Sequence, residues 1–385
     1  MADSESERRK LGDVAAAAGI RRMHVLAWRD LDDVEAGGSE VHAAEIASRW
    51  AAAGLDVVMR TSHAAGHLSE VERDGYRVIR RRGRHLVFLD APLQELLGRG
   101  GRRDGLLEVW NGLPFFSPLW ARGPRATFIH HVHADMWRQV MSPGLARLGE
   151  VLELRVAPRA YRRSTVLTPS PSSREQIIRR LGLPPDRVTS VPNGVDARFS
   201  PGGGRSPHPT VLVVGRLVPH KRVDWLIRAA HALRDRVPEL ELRVVGEGYE
   251  RDPLERLVRE LDAERTVRFD GHIADDAVVD AYRSAWVVAS ASSDEGWGMT
   301  ITEAAACATP AVATRIAGHV DVIEPGATGL LVDTPDELEA ALARLLGDPD
   351  LRARLGEGAR RRAESLTWDR TALEVLRGVA GQLSP

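Results

Sequence analysis

The stretch SSDEGWGMTITEAAACATPAVAT, residues 292–314, contains the loop and helix of a strand–loop–helix–strand unit. The apolar run AWVVASAS (285–292) before it predicts a buried strand, and PAVATRI (310–316) predicts the next one. Between them, two glycines flank a tryptophan in a loop that leads into a helical run. Strands joined through a helix in this way lie parallel in one sheet.

The same alternation of short apolar strands with longer helical patterns extends in both directions from this unit. The further predicted strands are MHVLAW (23–28), DVVMRTS (56–62), LLEVWNG, RATFIHHVH and STVLTPS in the first half, and VLVVGRL (211–217), LELRVVGEG (240–248), TVRFDGH (266–272) and GLLVDT (329–334) in the second. Such alternation indicates an α/β protein with helices on both faces of parallel sheets. Ligands of such sheets bind beyond the carboxyl ends of the strands.

Two segments interrupt the alternation and set the domain limits. VPNGVDARFSPGGGRSPHPT (191–210) is rich in Gly and Pro and has no apolar period, which is typical of a linker. The N-terminus MADSESERRK is polar, and we predict that residues 1–20 form a disordered tail. The sequence therefore predicts two doubly wound domains of similar size, one on each side of this linker.

The composition of the 385-residue chain excludes several classes of function. Lys and Arg number 53 and Asp and Glu 54, so no overall charge attracts nucleic acid. The single cysteine, Cys307, permits no internal disulfide and is compatible with a reducing compartment. No apolar run reaches about 18 residues, so no membrane-spanning helix is predicted.

Two glutamates border the glycine-flanked loop of the opening stretch. Glu295 follows a strand and precedes Gly296, so we expect its side chain to project beyond the sheet. Glu303 stands three residues after Thr300, a spacing that also fits a helix capping box without any ligand. The amides of residues 298–300 should point out of the helix N-terminus, where an anion is favoured.

Cations follow an earlier strand of the same predicted sheet. In GRLVPHKR, Arg216 closes the strand and Lys221 stands five residues later. A guanidinium fork and a mobile ammonium can both meet one anion across such a turn. Alone, this spacing equally describes two ordinary surface cations.

A glycine pair lies between the first predicted strand and the first predicted helix. In DVEAGGSEVHAAE, Gly37 and Gly38 would allow the backbone to approach a phosphate closely. The loop is neither G-x-G-x-x-G nor a P-loop, so a tight turn without a ligand explains it equally well.

Histidines cluster at the end of the strand predicted in FIHHVHAD (128–135). On a strand His131 and His133 share one face and His130 takes the other. A substrate contact, a core role and a zinc site all remain open, although no Cys or H-E-x-x-H stands nearby. The acids of DLD (30–32) match a D-x-D metal motif, but short acidic patterns are frequent in loops.

Two further features of the first half have alternative interpretations. The basic runs VIRRRGRH (78–85) and GRGGRR (98–103) are either a solvated face or a surface for an anionic acceptor or membrane. The segment VWNGLPFFSPLW (109–120), with Trp110 and Asn111, either shapes an acceptor site or belongs to the core.

Taken together, EGWGMTITE with its E-x7-E, GRLVPHKR, SVPNGVD and the AGGSE loop resemble the retaining GT-B glycosyltransferases of family 4. The resemblance extends over nearly the whole chain from Met23. It implies an α/β GT-B fold in which two doubly wound Rossmann-like domains face each other across a cleft. Residues 21–195 would form the acceptor domain and 196–367 the nucleotide-sugar domain, and residues 368–385 would form a helix that crosses back to the first.

The resemblance also implies roles for individual residues. Arg216 and Lys221 would neutralise the donor diphosphate, Glu295 would bind the transferred sugar and Glu303 the ribose. His133 matches the cleft histidine of the family. The other implied donor-side positions are Gly37, Gly38, Gly296, Trp297, Gly298, Met299 and Thr300, and the further acceptor-side candidates are His130, Trp110 and Asn111.

The reaction expected from this resemblance is the retaining transfer of a hexosyl unit from a UDP- or GDP-sugar. The acceptor would be a hydroxyl of a glycan, a lipid-linked glycan or a small metabolite. Because arginine, lysine and helix amides would hold the diphosphate, no metal or other cofactor is expected. We expect no nucleic-acid partner and a cytoplasmic protein, with peripheral membrane contact through the basic first half as a hypothesis. A sugar-nucleotide 2-epimerase, a phosphorylase and a non-catalytic binding module are the alternatives.

Overall fold

The computed structural model describes residues 2–133, 137 and 142–383, with side chains from residue 6 onward. The chain divides into two compact units. Unit 1 comprises Met1–Gly194 and Trp368–Pro385, and unit 2 comprises Val195–Thr367. Residue 1 of the expected tail and residues 384–385 of the final segment lie outside the described residues.

The described residues of unit 1 contain an eight-stranded sheet. Its strands are β1 Arg22–Leu26, β2 Asp56–Thr61, β3 Glu70–Arg73, β4 Tyr76–Arg80, β5 Gly105–Trp110, β6 Arg125–Ile129, β7 Thr165–Thr168 and β8 Val188–Ser190. Their order is β3-β4-β2-β1-β5-β6-β7-β8, and only the β3–β4 hairpin is antiparallel in these residues. The predicted strands are confirmed with shorter limits, whereas β3, β4 and β8 were not predicted.

Unit 1 also contains helices. They are α1 Ala2–Ala17, α2 Gly38–Ala52, α3 Val87–Leu96, α4 Ser117–Trp120, α5 Pro143–Val151, a π-helical turn Leu152–Val156, α6 Ala157–Tyr161 and α7 Pro171–Leu181, with a 3₁₀ turn at Pro185–Arg187. Helix α2 is followed by the C-cap residue Ala53 and by Gly54, which takes φ 92°. That left-handed conformation suits glycine and turns the chain into β2.

The expectation of a disordered tail over residues 1–20 is wrong, because α1 occupies most of it. Leu11 and Ala15 on α1 are buried in the same core cluster as Leu376 and Val379 of the final helix. The buried residues Leu11 and Ala15 lie in the second half of α1, and their partners in the final helix stand more than 350 residues later. A local reading of the polar N-terminus therefore missed the helix, because tertiary packing stabilises it.

Unit 2 carries a second sheet, which has six strands in the described residues and is parallel throughout. The strands are β9 Thr210–Val214, β10 Glu241–Val245, β11 Val267–Gly271, β12 Val287–Ser290, β13 Ala311–Thr314 and β14 Gly329–Val332, in the order β11-β10-β9-β12-β13-β14. All six coincide with predicted strands. Residues 191–210, predicted as a linker, hold no helix or strand before β9.

The helices of unit 2 connect these strands. They are α8 Val223–Leu233, α9 Arg251–Glu260, α10 Asp275–Ser284, α11 Met299–Ala306, α12 His319–Val322, α13 Pro335–Gly347 and α14 Pro349–Ala363, with a 3₁₀ turn at Pro219–Lys221. The core between helices and sheet is built from buried Val, Leu and Ile side chains of the strands and of α8, α13 and α14. Burial on both sheet faces explains the nearly continuous apolar strands.

The final helix, α15 Trp368–Val379, belongs to unit 1. The Trp50 indole of α2 donates a hydrogen bond to the Ala372 carbonyl at 3.0 Å. The Thr371 hydroxyl donates to the Pro192 carbonyl at 2.7 Å. These contacts fix the end of the chain against the first sheet. Among the described residues, no helix combines the length and the apolar character that crossing a bilayer requires.

Candidate functional site

The second sheet reverses its strand order between β9 and β12. From β9 the chain proceeds outward to β10 and β11, and from β12 it proceeds in the opposite direction to β13 and β14. The loops that leave the carboxyl ends of these two strands therefore diverge and open a crevice, which is where open α/β sheets bind ligands. The Arg216–Lys221 loop follows β9 and the Ser292–Gly298 loop follows β12, so the fold brings both predicted loops to one crevice.

Lys221 and Glu295 form an ion pair across this crevice. Each side chain is about one-fifth exposed, at 22% and 20%. The Ser292 hydroxyl donates to the same Glu295 oxygen at 2.9 Å. Burial alone would raise the pKa of Glu295, but the Lys221 ammonium, the nearby His319 ring and these hydrogen bonds lower it to about 2. Glu295 is therefore a carboxylate at any physiological pH.

Arg216 differs from Lys221 because its side chain is exposed. The Arg216 side chain makes no hydrogen bond or ion pair with any residue that the structure describes. The glycine before Arg216, Gly215, takes φ 148°. A Cβ atom on it would lie 4.0 Å from the Lys221 Nζ, which is an ordinary van der Waals contact. An unpaired guanidinium and a paired ammonium thus follow the same strand, and both are within reach of an incoming anion.

His319, which the sequence analysis missed, lies beside the ion pair. The ring is 1% exposed, its Nδ1 is 2.9 Å from the Thr314 carbonyl oxygen, and its Nε2 is 3.4 Å from the Ser290 hydroxyl. Burial lowers the pKa of His319 although Glu295 raises it, so the ring is neutral near pH 7. Its only local signal is the Gly-His dipeptide after β13.

Backbone geometry at 296–300 positions the start of α11. Gly298 is the N-cap at φ 110°, and the helix begins at Met299. The amides of Met299 and Thr300 lie in the first turn, where no earlier carbonyl of the helix can accept from them. Gly318 approaches the loop so closely that a Cβ on it would lie 2.8 Å from the Trp297 nitrogen. A side chain at position 318 would therefore collide with the loop backbone between Glu295 and Trp297.

Trp297, one of the implied donor-side positions, is buried. Its side chain is 6% exposed and packs in a core cluster with Ile301, Val322 and Ile323. The indole therefore anchors the loop in the protein interior. The physical reason is that Val322 of the short α12 and the following Ile323 pack against the indole.

Glu303 lies further along α11 and is only partly buried. The Tyr282 hydroxyl donates to its Oε2 at 2.8 Å. Burial raises the pKa of Glu303 to about 7, although the Tyr282 hydrogen bond and the Arg198 guanidinium lower it. The capping-box alternative is wrong, because the N-cap is Gly298 and not Thr300.

A second glycine loop at this edge was not recognised in the sequence. A Cβ on Gly246 would lie 2.0 Å from the Gly215 carbonyl oxygen, and a Cβ on Gly248 would lie 2.2 Å from the Leu217 carbonyl oxygen. The Leu217 amide donates to the Glu247 carbonyl at 2.9 Å. The G-E-G of LELRVVGEG thus lets the loop after β10 support the arginine loop after β9.

In unit 1, Gly37 and Gly38 start α2, but a protein carboxylate already occupies the helix N-terminus. The Gly37 amide donates to Glu40 Oε2 at 2.8 Å, and the Ser39 hydroxyl donates to the same oxygen at 3.0 Å. Arg29 donates to the other Glu40 oxygen at 3.3 Å. A phosphate at these glycines would therefore have to displace Glu40. The spacing of Gly37 and Glu40 is that of a capping box.

The acceptor-side candidates separate into a loop residue and a core residue. Asn111 follows β5 and donates to the Ser39 hydroxyl at 3.1 Å, so it joins the glycine loop where the first sheet reverses its strand order. Trp110 is 1% exposed and its ring lies 4.8 Å from that of Tyr161. Trp110 is therefore a core residue.

The histidines lie beyond the end of β6 and divide as the alternation predicts. The rings of His131 and His133 stack at 4.4 Å, whereas His130 lies 4.7 Å from His42 and 4.8 Å from Phe128. His133 is partly exposed and His130 is buried. Burial and the neighbouring histidines lower the pKa of His130, and burial lowers the pKa of His42 to about 3, so both are neutral.

Glu153 supports this loop and had no recognisable signal in the sequence. It is 1% exposed and accepts from the His133 amide and from the Trp137 indole, both at 2.8 Å. A single glutamate within the run VLELRV gives no local indication of such a contact. The position of His133 therefore depends on a residue twenty positions later.

Arginines neutralise the acids of the D-x-D pattern. Arg80, itself 2% exposed, donates to Asp30 at 2.6 Å and also pairs with Asp32, and Arg73 lies 2.7 Å from Asp32. Within the described ranges, no three His, Cys, Asp or Glu side chains converge as a metal site requires.

The same contacts correct the picture of a free basic face at 78–85. Arg80 is a buried ion-pair residue, and Arg84 pairs with Asp33 at 2.7 Å and with Glu35 at 2.8 Å. Acidic residues of unit 1 therefore compensate the charges of Arg80 and Arg84, two of the four arginines in this run.

Two family models match the chain. The model described as Glycosyltransferase Family 4 matches residues 36–199, and the model described as Glycosyl transferases group 1 matches residues 198–362. Together they extend from the first glycine loop to α14.

Curated relatives and solved structures agree with these models. A D-inositol 3-phosphate glycosyltransferase of Kineococcus radiotolerans is 39% identical over 54% of this chain, which spans about half of that relative (55%). A protein of the same name from Streptomyces scabiei is 30% identical, and the match covers 88% of this chain and 85% of the Streptomyces protein.

Sucrose-phosphate synthase from Thermosynechococcus elongatus has a TM-score of 0.75 at 22% identity, over 92% of this chain and 97% of its own. Anabaena HepE, crystallised with UDP-glucose, has a TM-score of 0.74 at 19% identity, and the match covers 94% of this chain and 100% of the HepE chain. At these identities the likeness shows the GT-B fold alone.

Proposed function

The chain belongs to glycosyltransferase family 4, and from this premise we propose that it is a metal-independent, retaining hexosyltransferase. The donor would be a nucleotide-diphosphate sugar, and the acceptor a hydroxyl group. The observation that carries the proposal is the Lys221–Glu295 pair beside the unpaired Arg216 at the switch point of the second sheet. Two cations and one ionised carboxylate at the mouth of one crevice match an anionic diphosphate joined to a polyhydroxylated sugar.

In the proposed binding step, the ion pair exchanges partners. A diphosphate takes the Lys221 ammonium and the Arg216 guanidinium, and the sugar hydroxyls take the Glu295 carboxylate. The first amides of α11 supply further donors to the phosphates. Each charge of the resting pair thus gains a ligand partner, which limits the cost of separating Lys221 from Glu295.

In the transfer step, cleavage of the sugar–phosphate bond builds negative charge on the leaving diphosphate. Arg216 and Lys221 stabilise that charge more strongly in the transition state than in the ground state. Glu295, with its pKa lowered to about 2, holds no proton to donate. It accepts hydrogen bonds from the sugar hydroxyls, while the leaving phosphate takes the proton of the acceptor attacking from the same face.

The names of similar proteins guide the choice of substrates. HepE was crystallised with UDP-glucose, so UDP-sugars are the first donors to test. The curated relatives are named for D-inositol 3-phosphate, which makes this compound the first acceptor to test, ahead of glycans and lipid-linked glycans. A cytoplasmic location is part of the proposal, since the single Cys307 requires no oxidising compartment.

The test measures the melting temperature and sugar transfer with UDP-, GDP- and ADP-glucose, with and without EDTA. We expect one nucleotide sugar to stabilise the protein equally in both conditions. Arg216→Ala should lose this stabilisation without losing stability in the absence of donor, because its side chain is exposed and makes no bond that the structure describes. NMR of the product should show that the anomeric configuration of the donor is retained.

Arg265→Ala is the matched control. The Arg265 side chain is also exposed and unpaired within the described residues. However, Arg265 precedes β11 and therefore lies at the amino ends of the strands, whereas the crevice lies at their carboxyl ends. It should leave donor binding unchanged. Stabilisation that disappears with EDTA, an inverted product, or equal losses in both variants would contradict the proposal.

A further inference from the structure

Helix α3 in unit 1 presents leucines to solvent. Its buried side packs Val87 and Ala91 against Leu26, Leu106 and Phe115. The spacing of the exposed leucines follows the helical repeat, so they form one stripe. We call this stripe the leucine face of α3; it consists of Leu86 (57% exposed), Leu89 (73%), Leu93 (52%), Leu96 (63%) and Leu97 (56%).

The acids of this helix do not interrupt the leucine face. The Asp90 side chain is 10% exposed and pairs with Arg82 at 3.3 Å. The Glu95 side chain is 1% exposed and is held by His24 and Arg60 in the interior. A run of more than half-exposed leucines without an exposed charge between them is not ordinary surface, and it marks an interaction site.

Cations border the leucine face at both of its ends. Before α3, Arg82 is 64% exposed and reaches along the helix to Asp90. After α3, Arg99 is exposed and donates to Gln94 at 3.4 Å. Arg81 and Arg102 are exposed as well, and neither makes a hydrogen bond or ion pair with its side chain in the part of the chain that the structure describes.

This charge pattern discriminates between possible occupants. In a two-fold dimer through α3, parallel or antiparallel packing would bring arginines against arginines, because both ends are basic, and like charges would oppose association. A bilayer with anionic lipids offers acyl chains to the leucines and phosphates to the arginines at both ends. A helix of ten residues is about 15 Å long, which suits an orientation in the plane of the interface.

We propose that the leucine face of α3 docks unit 1 on an anionic lipid surface. The leucines enter the boundary between headgroups and acyl chains, and Arg82, Arg99 and Arg102 contact lipid phosphates. This surface is built from residues of unit 1 and the crevice from residues of unit 2, and lipid binding needs neither donor nor acceptor. Its failure would therefore leave the proposed transfer reaction untouched, and failure of transfer would leave the docking untouched.

The test is flotation of the full chain with vesicles of phosphatidylcholine alone and of phosphatidylcholine with 30% phosphatidylglycerol, a composition chosen to be about one-third anionic. We expect binding to the anionic vesicles that weakens with salt. Leu89→Gln combined with Leu93→Gln should reduce the partition coefficient by at least about fivefold, since each change removes part of the burial energy of a leucine. Arg99→Gln combined with Arg102→Gln should weaken binding to the anionic vesicles only.

Leu68→Gln is the matched control for Leu89→Gln, because both leucines are 73% exposed and only Leu89 lies on α3. Unchanged melting temperatures would verify that the variants remain folded. The proposal is overturned if the wild type does not bind anionic vesicles, or if the Leu89 and Leu68 variants bind equally well. It is also overturned if sedimentation velocity shows a wild-type dimer that the α3 variant dissociates, since the occupant would then be a second copy of this chain.

Discussion

Glu303 is expected to make donor binding depend on pH between 6 and 8. Its pKa is raised to about 7, with burial as the main cause, whereas Glu295 at about 2 stays ionised and His319, with its pKa lowered, stays neutral. If only the ionised carboxylate accepts the ribose hydroxyls, about one-tenth of the protein is competent at pH 6 and about nine-tenths at pH 8. The Kd of a nucleotide sugar should therefore fall about tenfold over this range.

Isothermal titration calorimetry with the nucleotide sugar selected by the donor panel measures this effect. Nucleotide sugars are suited to it because their diphosphate, esterified at both ends, does not titrate near neutral pH. Repeating the titration at pH 7 in two buffers of different ionisation enthalpy should show that binding releases about half a proton. Glu303→Gln should abolish both the pH dependence and the proton release.

The same substitution should stabilise the protein without ligand. A carboxyl with a raised folded pKa costs stability as the pH rises from about 4.5 to about 7, and the full difference corresponds to about 3 kcal/mol. Because Glu303 is partly exposed, we expect Glu303→Gln to add about 1–2 kcal/mol to the free energy of unfolding at pH 8 and little at pH 4.5. The exposed Glu260→Gln is the control. An equal Kd at pH 6 and 8, or an equal pH dependence in Glu303→Gln, would refute the reasoning.

Two further substitutions test the architecture of the crevice. Lys221→Met should lower the free energy of unfolding by about 1–2 kcal/mol at pH 7, because it leaves Glu295 without its ion-pair partner. Since the pKa of Glu295 is lowered, this difference should shrink as the pH falls from about 4.5 towards about 2; urea unfolding at several pH values measures it, and a constant difference would contradict the assignment. Gly246→Ala should cost more than about 2 kcal/mol, because φ is 128° and the new Cβ would lie 2.0 Å from the Gly215 carbonyl oxygen. Gly347→Ala, with nothing within 4 Å, should be neutral or stabilising in the same thermal melts.

Much of unit 2 could be predicted from the sequence because its signals are local. Each of its strands is a short apolar run between turn residues, and six such runs became β9 to β14. Arg216 and Lys221 flank one strand-end loop, and Glu295 follows another strand. Parallel strands bring their carboxyl ends to one edge, so these loops had to lie on the same side of the sheet.

Features built by distant or oppositely charged partners could not be predicted in the same way. Arg80 lies within an arginine run and resembles a solvated residue, but Asp30, fifty residues earlier, draws it into the interior. Helix α1 required the final helix of the chain as its partner. Local patterns contain no information on which remote side chain will supply the compensating charge or apolar surface.

The sequence by itself determined the succession of strands in unit 2, the two-sheet α/β class and the position of a cationic loop and an acidic loop at the same end of one sheet. The tertiary structure decided the state of each side chain. It made Glu295 an ionised partner of Lys221 and raised the pKa of Glu303 to about 7. It also placed the indole of Trp297 in the core. The physical reason is that periodicity depends on neighbours along the chain, whereas burial, charge compensation and pKa depend on neighbours in space.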